Sequence, residues 1–303
     1  MSEKNTLGWG ITTDKGVEIW DDNPLFLSSS VSLKEKCLLI FYPKKFVLYL
    51  TIKKYYRKWK KDNTGKVFRV LDVGCGTGSA VIDLKRYLGE NTFVVGIDVV
   101  SLQIELAQKK AKDLDVELRT YDGLHIPYLE NYFDVVYSSD VLGHVEHVPE
   151  WLNEINRVLK DDGLLAMFSE SKLGRHAFVR KYLLSHGLNT DPHKQFHISL
   201  YSKDELKKMF ADRDFIIERM YSTVWAKMMV HPDELAPALQ SQKKFPLLRL
   251  VNRFFLYIKK RFHPLSSAFL ELYSLIEMYM IGKWVESQGY IIIAKKGKKE
   301  FSP

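Results

Sequence analysis

Residues 71–78 read Leu71-Asp72-Val73-Gly74-Cys75-Gly76-Thr77-Gly78, and they close an apolar run that begins at Val67. An acidic residue followed by alternate glycines, directly after a buried strand, predicts a tight strand-to-helix turn whose backbone approaches a ligand closely. Glycine loses more conformational entropy on folding than any other residue, so three glycines in five positions are unfavourable unless the backbone must approach something closely. The stretch therefore predicts an α/β fold with a nucleotide-type site at the end of a strand.

Two common phosphate-binding loops fit this stretch less well. A dinucleotide-binding turn prefers glycine three positions after the second glycine, where this chain has Ser79. A P-loop needs Gly-Lys followed by Ser or Thr, and that sequence is absent from the turn.

Short β-branched runs alternate with helical periodicity beyond Val67, which predicts a doubly wound sheet. Seven segments are predicted to be strands: Val67–Val73, Thr92–Asp98, Val116–Tyr121, Tyr132–Ser138, Gly163–Ser169, Asp212–Tyr221 and Gly289–Lys295. A helix is predicted over Ser79–Leu88, and a second over Ser101–Asp113 with Ser101 as its N-cap and its buried stripe through Leu102 and Leu106. Ser202 and Glu205 form a capping box that opens a later helix.

Two carboxylates follow strands beyond the glycine turn. Asp98 ends the run Val94-Val95-Gly96-Ile97-Asp98, about twenty residues after the glycine turn. At this distance a carboxylate can accept hydrogen bonds from both hydroxyls of a ribose. The ribose of NAD would fit equally well. Asp122, in Thr120-Tyr121-Asp122-Gly123-Leu124, would accept a hydrogen bond from an exocyclic amine such as that of adenine.

Taken together, these motifs resemble the class I S-adenosylmethionine-dependent methyltransferases, in particular the small-molecule and lipid branch that includes quinone-biosynthesis enzymes. The remaining matching segments are Phe133-Asp134-Val135-Val136, Val141-Leu142-Gly143-His144-Val145 and residues 154–163. The resemblance implies S-adenosylmethionine as cofactor, bound at its methionine end by Asp72, Gly74, Gly76 and Gly78. It further implies Asp98 and the adjacent Val99 for the ribose, Asp122, Gly123 and Leu124 for adenine, and Ser139 near the methionine end.

The implied fold is α/β: a doubly wound, Rossmann-like seven-stranded sheet with a terminal antiparallel hairpin and helical insertions. We expect residues 1–66 to form an N-terminal basic helical cap and residues 67–171 the cofactor-binding core. Residues 172–303 would add acceptor-side insertions, a helical lid and the terminal strands of the same domain.

Methyl transfer from a sulfonium needs a base only when the acceptor must lose a proton. His144 is the candidate catalytic base because it follows the fourth strand on the ligand side of the sheet; a structural hydrogen-bonding role is the alternative. The first insertion, Lys172–Ser199, contains five basic residues or histidines that could contact an anionic or phenolic acceptor: Arg175, His176, Arg180, His193 and His197. The alternative is that these are solvated loop residues. No metal site is predicted, and Asp191-Pro192-His193 is interpreted as a turn.

Positive charge is concentrated in two segments. Residues 34–66 carry eleven Lys or Arg against two acids, and residues 243–261 carry seven against none, although the whole chain is only +8. Interleaved aromatic residues and cations between Phe245 and Arg261 predict an interfacial helix on an anionic membrane, with a lid over the site as the alternative. No span of about 18 uncharged residues predicts a transmembrane helix.

The expected function is therefore transfer of a methyl group to a small-molecule or lipid-like acceptor. RNA methylation is an alternative because of the basic segments, but nucleic acid is an unlikely partner since no RNA-binding module is evident. A non-catalytic protein that binds the cofactor is a third hypothesis. Two unrelated cysteines and the lack of an apolar leader at the N-terminus predict a cytoplasmic protein. The basic, apolar segment between Phe245 and Arg261 adds the expectation that it associates with a membrane.

Overall fold

The computed structural model describes residues 11–12, 18–19, 22–28, 31–191, 194, 196–224 and 230–297. Seven strands form one sheet: β1 Phe68–Val73, β2 Thr92–Asp98, β3 Glu117–Thr120, β4 Phe133–Ser139, β5 Leu159–Ser169, β6 Phe215–Tyr221 and β7 Tyr290–Lys296. Their order is β3-β2-β1-β4-β5-β7-β6, and β7 runs antiparallel to both of its neighbours. The predicted fold class, with its terminal antiparallel hairpin, is confirmed.

Several strands begin at other residues than the periodicity predicts. Val67 is 48% exposed and lies outside β1. β5 begins four residues before the predicted Gly163, because Leu159 already pairs with Phe133 ahead of an irregularity in the ladder. β6 begins at Phe215, since the residue before it, Asp214, has a left-handed backbone with φ of 56°.

Ten α-helices connect and cover the sheet within the described residues. They are α1 Leu33–Leu38, α2 Pro43–Asp62, α3 Ser79–Leu88, α4 Ser101–Lys110, α5 Val148–Val158, α6 Phe178–Ser185, α7 Lys203–Ala211, α8 Pro232–Gln240, α9 Pro246–Arg261 and α10 Leu265–Ile281. No helix of this part of the chain is long and apolar enough to cross a membrane.

The helices bury one apolar layer on each face of the sheet. Phe68 and Val70 of β1 lie in a cluster with residues of α2, α3 and α10, whereas Leu71 and Val73 lie in a second cluster with α5 and α7. Successive side chains of a strand point to opposite faces, so a strand buried on both faces is apolar nearly throughout. This burial fixes the end of β1, and with it the position of the glycine turn.

Helix α4 differs from its prediction at its start and along its buried face. Val100 is the N-cap, without a side-chain capping hydrogen bond, and Ser101 is instead the first helical residue. Leu102 is 42% exposed, and the buried positions are instead Gln103, Ile104 and Ala107. The capping box at Ser202 and Glu205 is confirmed, with both of its reciprocal hydrogen bonds formed.

The second insertion contributes a small core of its own. Leu235 and Leu239 of α8 and Phe245, which precedes α9, pack with Leu183 of α6. Helix α10 instead packs Leu275 and Met278 against the sheet-side cluster that contains α2. The insertions therefore lie over the ends of the strands and are anchored at α10.

Candidate active site

A cavity of about 1300 Å³ lies at the carboxyl ends of the central parallel strands. Asp72 at the end of β1, Asp98 at the end of β2 and Ser139 at the end of β4 line it, as do residues of the insertions. The strand order reverses between β1 and β4, which is where doubly wound sheets bind their ligands. The glycine turn and the insertions thus enclose one space.

The glycine turn is closely packed against neighbouring residues. Gly74 has φ of 75°, and a Cβ there would lie 2.3 Å from Cγ2 of Val141. Gly78 has φ of 79°, and a Cβ there would lie 2.9 Å from Cβ of Ala107 in α4. Gly76 has φ of 54°, and its N–H donates to Oδ2 of Asp98 over 2.9 Å. The turn requires glycine for both its backbone conformation and its packing.

Asp72 is a buried carboxylate at the inner side of this turn. The residue is 1% exposed, and its Oδ2 has no hydrogen-bond partner among the described residues. Burial raises the pKa of Asp72 well above its ordinary value, and the neighbouring charge of Asp98 raises it further, whereas Lys45 opposes the shift. A buried acceptor that lines a cavity without a partner fits a ligand that brings its own positive donor.

Asp98 is held by backbone groups from both sides. Besides the bond from Gly76, its Oδ1 accepts from the N–H of Val100 over 2.9 Å. Burial raises the pKa of Asp98, and these backbone N–H groups oppose the shift. Val99 beside it is 57% exposed and lines the cavity, so it offers an apolar surface next to the carboxylate.

Asp122 is engaged in a local turn. Its Oδ1 accepts from the N–H groups of Leu124 and His125, and its Oδ2 lies 2.8 Å from Nδ1 of His125. These hydrogen bonds, the one from the His125 side chain first, lower the pKa of Asp122 to about 2. Gly123 has φ of 90° and lines the cavity with Leu124. An exocyclic amine bound here would share Asp122 with His125.

Several charged residues of the site lie outside the sequence motifs. Ser139 donates to Oδ2 of Asp140 over 2.8 Å, and Lys44 at the start of α2 pairs with the same carboxylate. Lys45 lies 3.0 Å from Oδ2 of Asp22, which also accepts from Ser79 at the start of α3. The basic segment before the sheet therefore places two lysines in the cavity, and no local pattern predicts their partners.

His144 lies in a short 3-10 turn after β4 and faces the first insertion. Its Nδ1 lies 3.1 Å from the carbonyl oxygen of Phe196, and its ring centroid lies 5.1 Å from that of His197. His197 in turn places Nδ1 2.8 Å from Oδ2 of Asp191. Glu170, one residue beyond β5, accepts from the N–H of Gly143, and burial raises its pKa to about 7. Sequence reasoning missed Glu170 and the contact of Asp191 with His197.

Other residues of the first insertion are engaged elsewhere. Nδ1 of His176 accepts from the N–H of Glu286 over 3.0 Å, and Arg175 pairs with the carboxylate of Glu286. Arg180 is 8% exposed and pairs with Glu234 of α8 while lining the cavity. His193 lies outside the described residues. Of the predicted acceptor contacts, the structure thus places His197 and Arg180 at the cavity.

Residues 71–167 match a family model described as a methyltransferase domain. The chain is also 30% identical over 182 residues to a demethylmenaquinone methyltransferase of Lactobacillus johnsonii, covering 54% of this chain and 72% of that protein. The chain belongs to the S-adenosylmethionine-dependent methyltransferases. A second demethylmenaquinone methyltransferase, from Staphylococcus aureus, is 29% identical over 195 residues, which are 59% of this chain and 81% of that protein.

Among solved structures, the methyltransferase resembles the geranyl diphosphate C-methyltransferase of Streptomyces coelicolor A3(2). The TM-score is 0.47 and the sequence identity is 16%, with 79% of this chain and 74% of that chain covered. The predicted class, activity and cofactor are confirmed: the methyltransferase is of class I and uses S-adenosylmethionine. The unpartnered oxygen of Asp72 and the tightly packed glycine turn fit that cofactor, which carries both an ammonium and a sulfonium charge.

Proposed function

We propose that this methyltransferase transfers the methyl group to an aromatic, quinone-like acceptor with a lipid tail at the surface of an anionic membrane. The observation that carries the proposal is the continuous cavity that reaches from the glycine turn to helices α9 and α10. The names of the two curated relatives support a quinone-like acceptor. The demethylated quinol itself is the first acceptor to test.

The proposed cofactor contacts follow the strand ends. When bound, S-adenosylmethionine supplies an electrophilic methyl group on a sulfonium. Asp72 accepts from its amino group, since that carboxylate has an oxygen without a partner, and the backbone of Gly74, Gly76 and Gly78 borders its methionine portion. Ser139 lies at the same end.

At the other end of the cofactor, Asp98 accepts from the ribose hydroxyls, while Val99, Asp122, Gly123 and Leu124 surround the adenine. Asp98 and Asp122 are already aligned by backbone hydrogen bonds. A carboxylate oxygen has room for more than one donor, so these bonds do not prevent the added contacts.

His144 is the proposed base for the acceptor hydroxyl. A carbonyl oxygen only accepts, so the bond to Phe196 places the proton on Nδ1 and the ring lone pair on Nε2. Loss of a positioned base typically lowers turnover by about 10² to 10⁴. We therefore expect His144→Ala to reduce kcat on this scale and to leave cofactor affinity unchanged.

An apolar stripe lies on each of the two long lid helices. On α9 and α10 exposed apolar residues recur at helical spacing: Leu247, Leu250, Phe254 and Tyr257, then Leu265, Phe269, Leu272, Ile276 and Met280. Side chains three or four residues apart share a helix face. We call these two rows the lid stripes.

Exposed basic residues flank the lid stripes: Lys243, Lys244, Arg253, Lys260, Arg261 and Lys283. Apolar side chains beside cations match an anionic lipid surface, where apolar burial and charge attraction act together. The sheer number of exposed apolar residues favours a membrane over RNA, since RNA binding rests on cations and stacking rings rather than aliphatic rows. The lid would then admit a lipid-borne acceptor directly into the cavity.

The activity is tested by methyl transfer from labelled S-adenosylmethionine to the reduced, demethylated quinone in detergent. We expect a labelled, methylated quinol as product, and loss of turnover in His144→Ala. Binding of the cofactor with no transfer to quinol, lipid or small-molecule fractions would favour a non-catalytic role. Transfer to RNA fractions alone would contradict the proposed acceptor class.

The membrane surface is tested by co-sedimentation with two kinds of vesicle. One is phosphatidylcholine alone, and the other contains phosphatidylglycerol as about a fourth of the lipid. We expect binding to the anionic vesicles, weakened in the double variant Phe254→Ser and Phe269→Ser. Leu129→Ser is the matched control, because Leu129 is exposed, apolar and outside the lid stripes. Equal binding by the double variant and the control would contradict the proposed surface.

A further inference from the structure

Two imidazoles and one carboxylate lie together in the acceptor half of the cavity. One ligand atom from each of His144, Glu170 and His197 lies within 4.8 Å of the other two, and all three residues are half-buried. Two histidines and one carboxylate suit divalent transition metals such as Zn²⁺, Fe²⁺ and Mn²⁺. Three protein ligands also leave coordination positions open, as in catalytic rather than structural metal sites.

Each imidazole is oriented by an acceptor at its Nδ1. The carbonyl oxygen of Phe196 serves His144, and Oδ2 of Asp191 serves His197 over 2.8 Å. Because both partners are acceptors, Nδ1 of each ring is the donor, and Nε2 is the nitrogen that would ligate an ion. Metal-binding histidines typically donate their second ring N–H to a carbonyl or a carboxylate in this way.

The third ligand is positioned by the backbone beside His144. The N–H of Gly143 donates to Oε2 of Glu170 over 3.2 Å. A Cβ at Gly143 would lie 3.2 Å from that oxygen and 3.3 Å from Cδ2 of His197. Glycine at this position therefore allows the turn that carries His144 to approach both other members closely.

The spacing of the cluster suits a single ion. Ligand atoms at about 2.1 Å from a tetrahedral ion lie about 3.4 Å from one another. Since the ligand atoms all lie within 4.8 Å of one another, side-chain movements of at most about an ångström would bring them to these separations. Such movements need only small rotations of the side chains, since the loops that carry them are already in contact.

We infer that His144, Glu170 and His197 form a divalent-metal site that holds a hydroxyl oxygen of the acceptor. The metal site stands on the cluster alone, and its acceptor role rests on the proposed function. A bound divalent ion would lower the pKa of the acceptor hydroxyl, so that its proton passes to water. The electron pair left on oxygen, directly or through the conjugated ring, would form the new bond to the methyl carbon as the bond from that carbon to the sulfonium sulfur breaks and the neutral thioether leaves. Where a ring carbon takes the methyl group, the proton on that carbon is then lost to water. His144 would then act as a ligand rather than as the base.

Metal binding is tested on the full chain without a histidine tag, after dialysis against chelator. Calorimetric titration with Zn²⁺, and Mn²⁺ titration followed by electron paramagnetic resonance, should each give one ion per chain. We expect His197→Ala and Glu170→Gln to weaken binding at least about tenfold, and Asp191→Asn by about 10- to 100-fold through loss of ring orientation. His186→Ala is the control, since His186 is an exposed histidine outside the cluster.

Circular dichroism establishes that each variant is folded, and Asp191→Asn provides a test in which all three ligands remain. No bound ion in the wild type, or equal affinities in the cluster variants and His186→Ala, would overturn the metal site. Methyl transfer that survives chelation undiminished would overturn its acceptor role.

Cofactor calorimetry on the same metal-free protein separates this inference from the proposed function. S-adenosylmethionine binding without metal binding would overturn the metal site alone. Metal binding without cofactor binding would support the site and contradict the proposed function.

Discussion

Gly74→Ala should destabilise the fold through one identifiable contact. At φ of 75° a residue with a Cβ costs about 1–2 kcal/mol. The new Cβ would also lie 2.3 Å from Cγ2 of Val141, and such overpacking adds about 1–3 kcal/mol. We therefore expect the free energy of unfolding, measured by urea titration, to fall by about 2–5 kcal/mol.

Gly65→Ala separates the two causes. Gly65 has φ of 80°, but a Cβ there would meet nothing within 4 Å, so only the backbone cost of about 1–2 kcal/mol applies. Adding Val141→Ala to Gly74→Ala should recover most of the contact cost, seen as a coupling of about 1–3 kcal/mol in a double-mutant cycle. Equal losses in Gly65→Ala and Gly74→Ala, or no coupling with Val141, would refute the packing argument.

Two further predictions concern carboxyl groups, that of the half-buried Glu271 and that of the fully buried Asp83. Burial raises the pKa of Glu271 in α10 to about 7, so the folded state holds a proton that the unfolded state has lost, and the contribution of this group to stability falls as pH rises from about 4.5 to 7. Glu271→Gln should therefore leave stability unchanged at pH 4 and raise it by up to about 3 kcal/mol at pH 8 by thermal unfolding; an equal effect at both pH values would contradict this. Asp83 is fully buried and accepts from the N–H groups of Leu25 and Phe26 while pairing with Lys45, so Asp83→Ala should cost about 3–5 kcal/mol and expose residues 22–28 to limited proteolysis. Unchanged proteolysis would show that this carboxylate does not hold the segment.

The strands and the glycine turn could be predicted because their signals are local. Apolar runs mark strands buried on both faces, and Gly74, Gly76 and Gly78 mark a backbone conformation that other residues adopt only at a cost. The doubly wound sheet with its terminal antiparallel hairpin followed from the family resemblance, since no local pattern specifies which strands pair.

The face of α4 was predicted wrongly for a reason that lies outside the helix. A count of apolar residues favours Leu102 and Leu106, but Gly78 approaches this helix at Ala107, where a larger side chain would clash. The sheet therefore buries Ile104 and Ala107, and Leu102 remains exposed. Periodicity gives the spacing of a buried face, whereas the neighbour that contacts it selects the face.

The acceptor side could not be assembled from sequence because its members are distant along the chain. Glu170, Asp191 and His197 come together through the packing of the first insertion against the turn that carries His144. Each is an ordinary polar residue in its own segment. The sequence predicted that the segments of α9 and α10 are apolar, basic helices. It could not predict which face of each helix is exposed, because that depends on how α8 and the sheet pack against them.

Titration calorimetry with S-adenosylmethionine tests the central claim most directly. The account predicts one molecule bound per chain, and at least about tenfold weaker binding in Asp98→Ala, which would remove the two charge-assisted hydrogen bonds proposed to the ribose. Asp115→Ala is the matched control, because Asp115 has a side chain 93% exposed. Affinity in Asp98→Ala equal to that in Asp115→Ala would contradict the assignment of the cofactor site.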